Sequence, residues 1–523
     1  MKRTRLLAAV STTALIGALA ACGGSGGDAA QGGGSGVKTL VANDAFDLKT
    51  IDPARSFEFT GVMLDQQIYE TALKFDGGDV KTPKPGVCSF TMSPDNKTLT
   101  LTMAGTHTFS DGAAVTADDV VFSLQRVQGI AGNPSFLLDG VTVTKKDDTT
   151  IVLTSKEANP QLPYILPNPS LGIVNKKLVE ANGGTTDKND KAEDFLNKTA
   201  AGSGPYTVES FDVQSKVVLK ANDHYAGTKP AYGRVVLDNV DAATQKVNAQ
   251  AGSTQLAFSL GPDQVTDMNG GRTKVVTAQS ARTIFLWFNM TPQYGKSSAN
   301  TSFVQAMRHA IDYKAVVALG GQGATQPGGM VPKGFLGALD SDPNNSFDPT
   351  KAKELLGKSG YNGEAISILY SNDVSIGGVK MQNVAETIQA QVKPLGINLQ
   401  LNPQPSATSL DSFRSGTAQA GVAYWGADYP DPANYLVFAP GQSLGKRAAW
   451  TPAMAPESDT LAKAAAAATG EARAGAYQAF QKQGNIDGPF IPLIQPAQIV
   501  VTSNTLTNVV INPVTTLEFA TIS

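Results

Sequence analysis

The sequence is poor in the side chains from which most catalytic and metal sites are built. Its 523 residues include 3 histidines and 2 cysteines. His107, His224 and His309 are scattered without ligand spacing, which speaks against a His/Cys metal centre. With so few imidazoles, general-base chemistry would fall to carboxylates that the spacing does not pair. No nucleophile elbow joins a strand to a helix, since Gly24-Ser25-Gly26 and Gly202-Ser203-Gly204 lie in a linker and a turn. No Lys/Arg cluster marks a nucleic-acid footprint. Beyond the first twenty or so residues, no segment has the roughly 18 apolar residues of a transmembrane helix. These absences predict a protein that is not an enzyme, carries no cofactor or metal and binds no nucleic acid.

What is present suits a large secreted globular protein. Hydrophobic residues make up 41% and charged residues 17%, and the length exceeds one ordinary core, so two lobes or several subdomains are expected. Met1-Lys2-Arg3-Thr4-Arg5 is basic, and Leu6 to Ala20 is apolar but too short to span a bilayer stably. The run ends in Leu19-Ala20-Ala21-Cys22, which has the form of a bacterial lipobox. Residues 1–21 are thus expected to be a signal peptide, with Cys22 lipidated and 22–36 a Gly/Ser tether with a reach of about 20 Å. The alternative is an ordinary secretory signal that happens to precede a cysteine. Loss of Lys2, Arg3 and Arg5 takes the formal charge from −3 to −6. With Cys22 spent on lipid, Cys88 has no disulfide partner; its alternating neighbours predict a small core residue.

Taken in order, Lys38 to Asn43 predicts a first strand and Val62 to Leu73 a helix. Thr98 to Met103 alternates as a half-buried strand, and Thr116-Ala117-Asp118-Asp119 opens a helix with acids in its first turn. Val141 to Thr144 and Thr150 to Thr154 form a hairpin. From Thr283 the pattern changes to strands and helices in alternation. It predicts strands at Thr283 to Met290, Ile366 to Tyr370 and Ile397 to Leu401, and helices at Phe303 to Tyr313 and Val379 to Lys393. Asp348-Pro349 caps another helix that Gly360 stops. Leu461 to Lys482 is helical with a break near Gly470, and Phe490 to Val501 returns to strand and proline character.

The stretch Tyr424-Trp425-Gly426-Ala427-Asp428-Tyr429-Pro430-Asp431-Pro432 stands apart. It follows the short apolar run Ala420 to Ala423, and its prolines forbid helix and ladder alike, so two carboxylates and three aromatics collect at the end of a strand. Open α/β sheets bind ligands outside such strand ends. Asp428 is therefore a candidate charge for a ligand's positive group, or alternatively a cap of the following turn. Asp431, between prolines, reads as a turn-former.

Several of these segments together resemble the peptide-binding branch of the solute-binding proteins of ABC importers. The resemblance is carried by Phe109-Ser110-Asp111-Gly112 through Arg126, by Gly202-Ser203-Gly204-Pro205-Tyr206, and by Ala306-Met307-Arg308-His309-Ala310-Ile311-Asp312. Phe347-Asp348-Pro349 through Leu356 and the Tyr424–Pro432 stretch follow in the same order. It implies an α/β, two-lobe, periplasmic-binding-protein-like clamp of type II, in the large peptide-binding cluster, with an extra subdomain in the first lobe. The first lobe would span 37–279, with an insertion at about 76–195, and regain the chain at 493–523; the second would span 280–492. The implied protein is a monomer held on the extracytoplasmic face of the cell membrane, capturing peptides, oligopeptides above all, for a membrane permease. The same scaffold holding another solute (chelated nickel, an opine, an oligosaccharide or another cationic small molecule) is the alternative. A secreted hydrolase and a structural surface lipoprotein are the remaining ones.

The resemblance also proposes site residues. Trp425-Gly426-Ala427-Asp428 matches the family's Trp-x-x-Asp, whose aspartate pairs with the ligand's α-ammonium. Trp425 is then either a pocket wall or packing beneath the loop. Tyr429, Phe57, Phe59 and Trp287 complete the candidate ligand-binding set. One departure stands out. Dipeptide binders of the family hold the ligand carboxylate with a second-lobe arginine, after the strand matched by Ile366 to Tyr370. Here Tyr370-Ser371-Asn372-Asp373-Val374 follows, and no arginine occurs from Asp312 to Phe413. Asp428 would be the principal fixed charge, with the ligand's other end free.

Overall fold

The computed structural model describes residues 37–199 and 201–523, so the signal segment, Cys22 and the tether lie outside the described residues. Two sheets organise the chain. The first has seven strands in the order 273–279, 497–503, 256–257, 39–44, 234–239, 216–221, 206–212. Its middle strand, Thr39–Asp44, runs parallel to both neighbours and keeps Leu40 and Ala42 fully buried. The outer pairs are antiparallel. The second sheet has five strands in the order 399–404, 366–371, 420–426, 282–288, 490–494. Ile366–Ser371 is parallel to both neighbours, and the helices Met381–Val392 and Ser406–Arg414 supply the crossovers that parallel strands require. This is a mixed α/β clamp of two lobes.

Between early strands of the first lobe the chain makes a four-stranded antiparallel sheet, in the order 88–92, 98–103, 150–155, 141–145. Helix Ala117–Ile130 belongs to the same packed unit, started by a reciprocal capping box between Thr116 and Asp119. From that helix Arg126, 1% exposed, reaches Asp52 at 2.6 and 2.7 Å and Asp190 at 2.8 and 2.9 Å. A buried cation met by two carboxylates ties the insertion to the loops beneath it. Cys88 is a buried free thiol there, as its neighbours predict, and burial pushes its pKa up to about 12.

Among the described residues two short connections link the main sheets, from Gln279 to Arg282 and from Ile494 to Ala497, and they run side by side. Gln495, fully buried on the second of them, donates to the Ser280 and Lys333 carbonyls at 2.8 and 3.0 Å and accepts from the Lys333 N–H at 2.8 Å. Ser280 Oγ donates to the Pro496 carbonyl at 2.6 Å. The lobes also meet away from these crossovers. A two-residue hairpin turn, Gly377-Gly378, has φ of 55° and 77° and touches first-lobe residues. A Cβ on Gly378 would lie 2.1 Å from Pro262 Cδ, so only glycine permits this approach.

Most expected elements are present, and the departures have local causes. The first helix covers Phe59–Ile68 rather than running to Leu73, because the Gly202–Gly204 turn packs on its end and Gly204 N–H takes the Ile68 carbonyl at 2.9 Å. The chain then pairs Leu73–Asp76 with Asp79–Pro85. The helix expected over Phe303 to Tyr313 stops at Ala310 and restarts at Tyr313, because the Asp312 carboxylate caps Lys314 and Ala315 N–H. Val379–Lys380 is strand and not helix, since it closes the Gly-Gly hairpin. The break near Gly470 separates Pro456–Ala467 from Ala472–Asp487. His309 is 1% exposed and bonds the Ser346 carbonyl at 2.9 Å, a packing role as expected. Beside it Arg308, fully buried, donates to the Gly488 and Phe490 carbonyls at 3.1 and 2.7 Å and to Asn345 at 2.6 Å. With no carboxylate bonded to it, burial lowers its pKa to about 10.

Candidate functional site

Strand Ala420–Gly426 is central in the second sheet, and the chain that leaves it forms one wall of a cavity of about 440 Å³. Helix Ser406–Arg414 and the segment around Leu444 and Arg447 supply the opposite wall. Of the six expected ligand-binding residues, Asp428, Trp425 and Trp287 line this cavity.

Asp428 does not cap the turn before Pro430. Its one side-chain hydrogen bond is a long one from Asn434 Nδ2 at 3.4 Å, and no cation pairs with it among the described residues. Burial raises its pKa above the usual carboxylate range, with the Asn434 contact opposing. Its backbone carbonyl accepts from Asn168 Nδ2 of the first lobe at 3.1 Å. Trp425 serves as wall and as packing together. Its Nε1 donates to Asn434 Oδ1 at 3.1 Å, and its ring meets Phe438 edge-on at 6.1 Å. Asn434 thus fixes both groups, and a 3₁₀ helix over Pro432–Phe438 positions it. Trp287 is 1% exposed and packs at a tilt against Phe413, with 4.5 Å between ring centroids, so it floors the cavity rather than projecting into it.

The other three candidates are elsewhere. Phe59 lines a second cavity, of about 720 Å³, bounded by Asp44, Ser259, Gln498 and Thr516 of the first lobe and by Arg282 and the Gly-Gly hairpin of the second. Phe57 lines neither cavity; its ring meets Phe136 edge-on at 5.4 Å. Tyr429 also lines neither. It packs from the second lobe onto the core of the inserted subdomain, and burial takes its hydroxyl up to about 12. It is an interlobe contact.

Two features escaped the sequence. Asp431 is more than a turn-former: it caps Ala433 N–H at 2.8 Å and, fully buried, holds Arg473 through contacts of 2.6 and 2.5 Å. Forty-two residues separate the partners, so no local pattern announces the pair. Second, the cavity does contain arginines. Arg414 and Arg447 line it together with Asp428, although none follows strand Ile366–Ser371. Arg414, at the end of its helix, was visible only as the first arginine after a long gap. In the larger cavity Thr516 adopts φ 83° while 3% exposed, a strained setting for a β-branched residue, and its hydroxyl has no partner.

Comparison with known proteins agrees with this architecture. A Haemophilus parasuis protein, HbpA2, superposes with a TM-score of 0.81 at 24% identity, covering 93% of this chain and 99% of that one. A Helicobacter pylori periplasmic binding protein, DppA in complex with peptide STSA, gives 0.71 at 21% identity, covering 92% and 97%. In sequence, the Probable D,D-dipeptide-binding periplasmic protein DdpA of Escherichia coli (strain K12) is 26% identical over 490 residues, 91% of this chain and 92% of the relative. The family model for the middle region of family 5 matches residues 82–443, more than half of the chain. The chain belongs to the bacterial extracellular solute-binding proteins, family 5.

Proposed function

We propose that this protein is the lipid-anchored, extracytoplasmic binding component of an ABC importer, and that it captures short peptides between its lobes with Asp428 on the ligand's ammonium. The observation that carries the reading is the Asp428 carboxylate itself: half-buried in an aromatic-walled cavity, raised in pKa and met by no cation among the described residues. A carboxylate in that setting rewards a ligand that brings a positive group, because the ion pair replaces water that the walls exclude. The names of the relatives, which speak of D,D-dipeptides and of a bound peptide, point to the same ligand class. Trp425 and the rim residues Tyr424 and Leu410, 44% and 39% exposed, favour apolar side chains.

Ligand capture draws the lobes together about the two crossovers, which are short enough to act as a hinge. Closure is a shift in population set by the ligand's greater affinity for the closed form. Cys22 tethers the protein through a lipid, on the strength of Leu19-Ala20-Ala21-Cys22 and the linker that follows. Transfer to a permease follows at the membrane.

Native mass spectrometry of the purified protein, followed by calorimetry with free and N-acetylated forms of the co-purified ligand, tests this. A peptide that loses affinity on acetylation is expected. A ligand without an amine, or one that the protein cleaves, removes the reading. In cells, Cys22→Ser is expected to move the protein from the membrane to the soluble extracytoplasmic fraction.

A further inference from the structure

We propose that the first lobe carries a second binding site, apart from the cleft between the lobes, for a small organic cation with N–H donors, such as a primary ammonium. The site is a cavity of about 240 Å³ between the hairpin Leu73–Asp76/Asp79–Pro85 and the C-terminal segment.

Its walls are fixed from several directions. Asn512, 6% exposed, donates from Nδ2 to the Gly77 carbonyl at 2.8 Å and ties the hairpin tip to the C-terminal segment. Its Oδ1 accepts the Val514 and Thr515 N–H groups at 2.9 and 3.1 Å, which sets Thr515 at the cavity wall. Tyr69, Phe75, Pro167, Pro169 and Pro205 give apolar surface. The volume is that of about eight water molecules, room for a solute of a few carbon atoms and its amine.

Three polar groups of this cavity have no partner among the described residues. Thr515 is 6% exposed, and its hydroxyl makes no hydrogen bond. The Tyr225 hydroxyl and the half-buried Glu518 carboxylate are likewise unbonded. Glu70 differs, since both its oxygens lie 3.0 Å from His107 Nδ1. Burial raises the Glu518 pKa; Lys74 at the rim opposes the rise without forming an ion pair, and Asp76 and Glu70 add to it. Burial, and then Glu70 and Glu518, push the Tyr225 hydroxyl up to about 12. A carboxylate and two hydroxyls, all able to accept, match a group that is positive and donates several hydrogen bonds. No His, Cys, Asp and Glu side chains gather to hold a metal ion among the described residues, which favours an organic cation.

The cavity is separate from the interlobe cleft and yet joined to it. Helix Phe59–Ile68 starts at Phe59, in the interlobe cavity, and ends beside Tyr69, in this one, about 15 Å of helix in all. The consecutive residues Thr515 and Thr516 line the two cavities in turn. The strained φ of 83° at Thr516 falls at the step where the chain passes from one to the other.

Calorimetry on the full-length protein with butylammonium and tetramethylammonium, cations of equal heavy-atom count, tests the site, with butanoate as the anionic control. The measurements are made in Asp428→Asn protein, so that a cation taken by the interlobe cleft does not contribute. Butylammonium is expected to bind one to one, and Glu518→Gln to weaken it about 10- to 100-fold, the scale of a hydrogen bond to a charged group. Thr515→Val, which keeps the shape and removes the hydroxyl, is expected to weaken it several-fold. Tetramethylammonium, without N–H donors, and butanoate are expected to bind far less. Thermal melts verify that each variant folds. The proposal is overturned if butylammonium shows no saturable binding, if Glu518→Gln and Thr515→Val leave its affinity unchanged, or if tetramethylammonium binds equally well.

Discussion

The cavity wall and the proline turn that follows it hold two aspartates three residues apart, and the fold treats them oppositely. Asp431 is fully buried, caps Ala433 N–H and grips Arg473 with both oxygens. Asp428 is half-buried, with one long contact to Asn434 and no cation among the described residues. The same sorting separates the arginines: Arg126 and Arg473 are matched to carboxylates, whereas Arg414 and Arg447 face the cavity unmatched. In these pairs the ion-paired charges hold the frame, and the unpaired ones line the cavity. An unpaired charge that faces a cavity is a stronger pointer to a binding site than the presence of charge alone, because a ligand of opposite sign can reach it and restore the stability its burial costs.

The comparison can be broken most forcefully at Asp431. Asp431→Ala leaves Arg473 buried without a partner, and removing one member of such a pair typically costs about 3 to 5 kcal/mol. Denaturant unfolding should show that loss. A change below about 1 kcal/mol would erase the contrast between the two aspartates.

Asp428→Asn should do the reverse. Affinity for an ammonium-bearing ligand should fall about 10- to 100-fold, the scale of a hydrogen bond to a charged group, while the apo protein becomes slightly more stable. The sign follows from the raised pKa. A carboxyl that is raised on folding contributes stability that is complete below its unfolded pKa, about 3.9, and is lost as pH rises through the folded value. An amide escapes that loss. For the same reason, wild-type affinity should decline on acidification through the apo pKa, and the Asn variant should lack that dependence. Calorimetry across pH decides it.

A third carboxylate sharpens the comparison with a smaller effect. Asp65 is fully buried, its carboxyl oxygens meet no hydrogen-bond partner of good geometry among the described residues, and burial pushes its pKa well above the carboxylate range, with the neighbouring Ser56 hydroxyl opposing. It lines none of the three cavities described. Asp65→Asn should flatten the fall in stability between about pH 4 and neutrality, where the native carboxyl resists ionisation. Binding should be unaffected. Parallel stability–pH curves for the two proteins would show that Asp65 is not the group responsible.

How far the residues could be read depended on the range of the interaction. Periodicity and caps are local, so Thr98–Met103, the Thr116 capping box, the Asp348 cap with Pro349 and the break near Gly470 were all legible. Local competition already defeated the longer helix expected through Tyr313, where the Asp312 side chain takes N–H groups for a new start. The Asp428 region was legible as a strand end rich in aromatics and acids. The ring that completes it was not, since Phe413, Arg414 and Arg447 reach it from a crossover helix and a later segment.

By itself the sequence determined the kind of protein this is: an α/β chain with few groups for chemistry, and ordered motifs spread over two lobes. The first two follow from composition and period, which the chain carries before it folds, and the two-lobe order from the resemblance of its motifs to a known family. Tertiary structure alone decided which charges are used up and which are left. Arg473 consumes Asp431 across forty-two residues, Asn434 holds Trp425 and Asp428 at fixed distances, and Arg447 lies over a ring more than thirty residues away. Pairing a charge requires contact, and contact across such separations exists only after the sheets have packed.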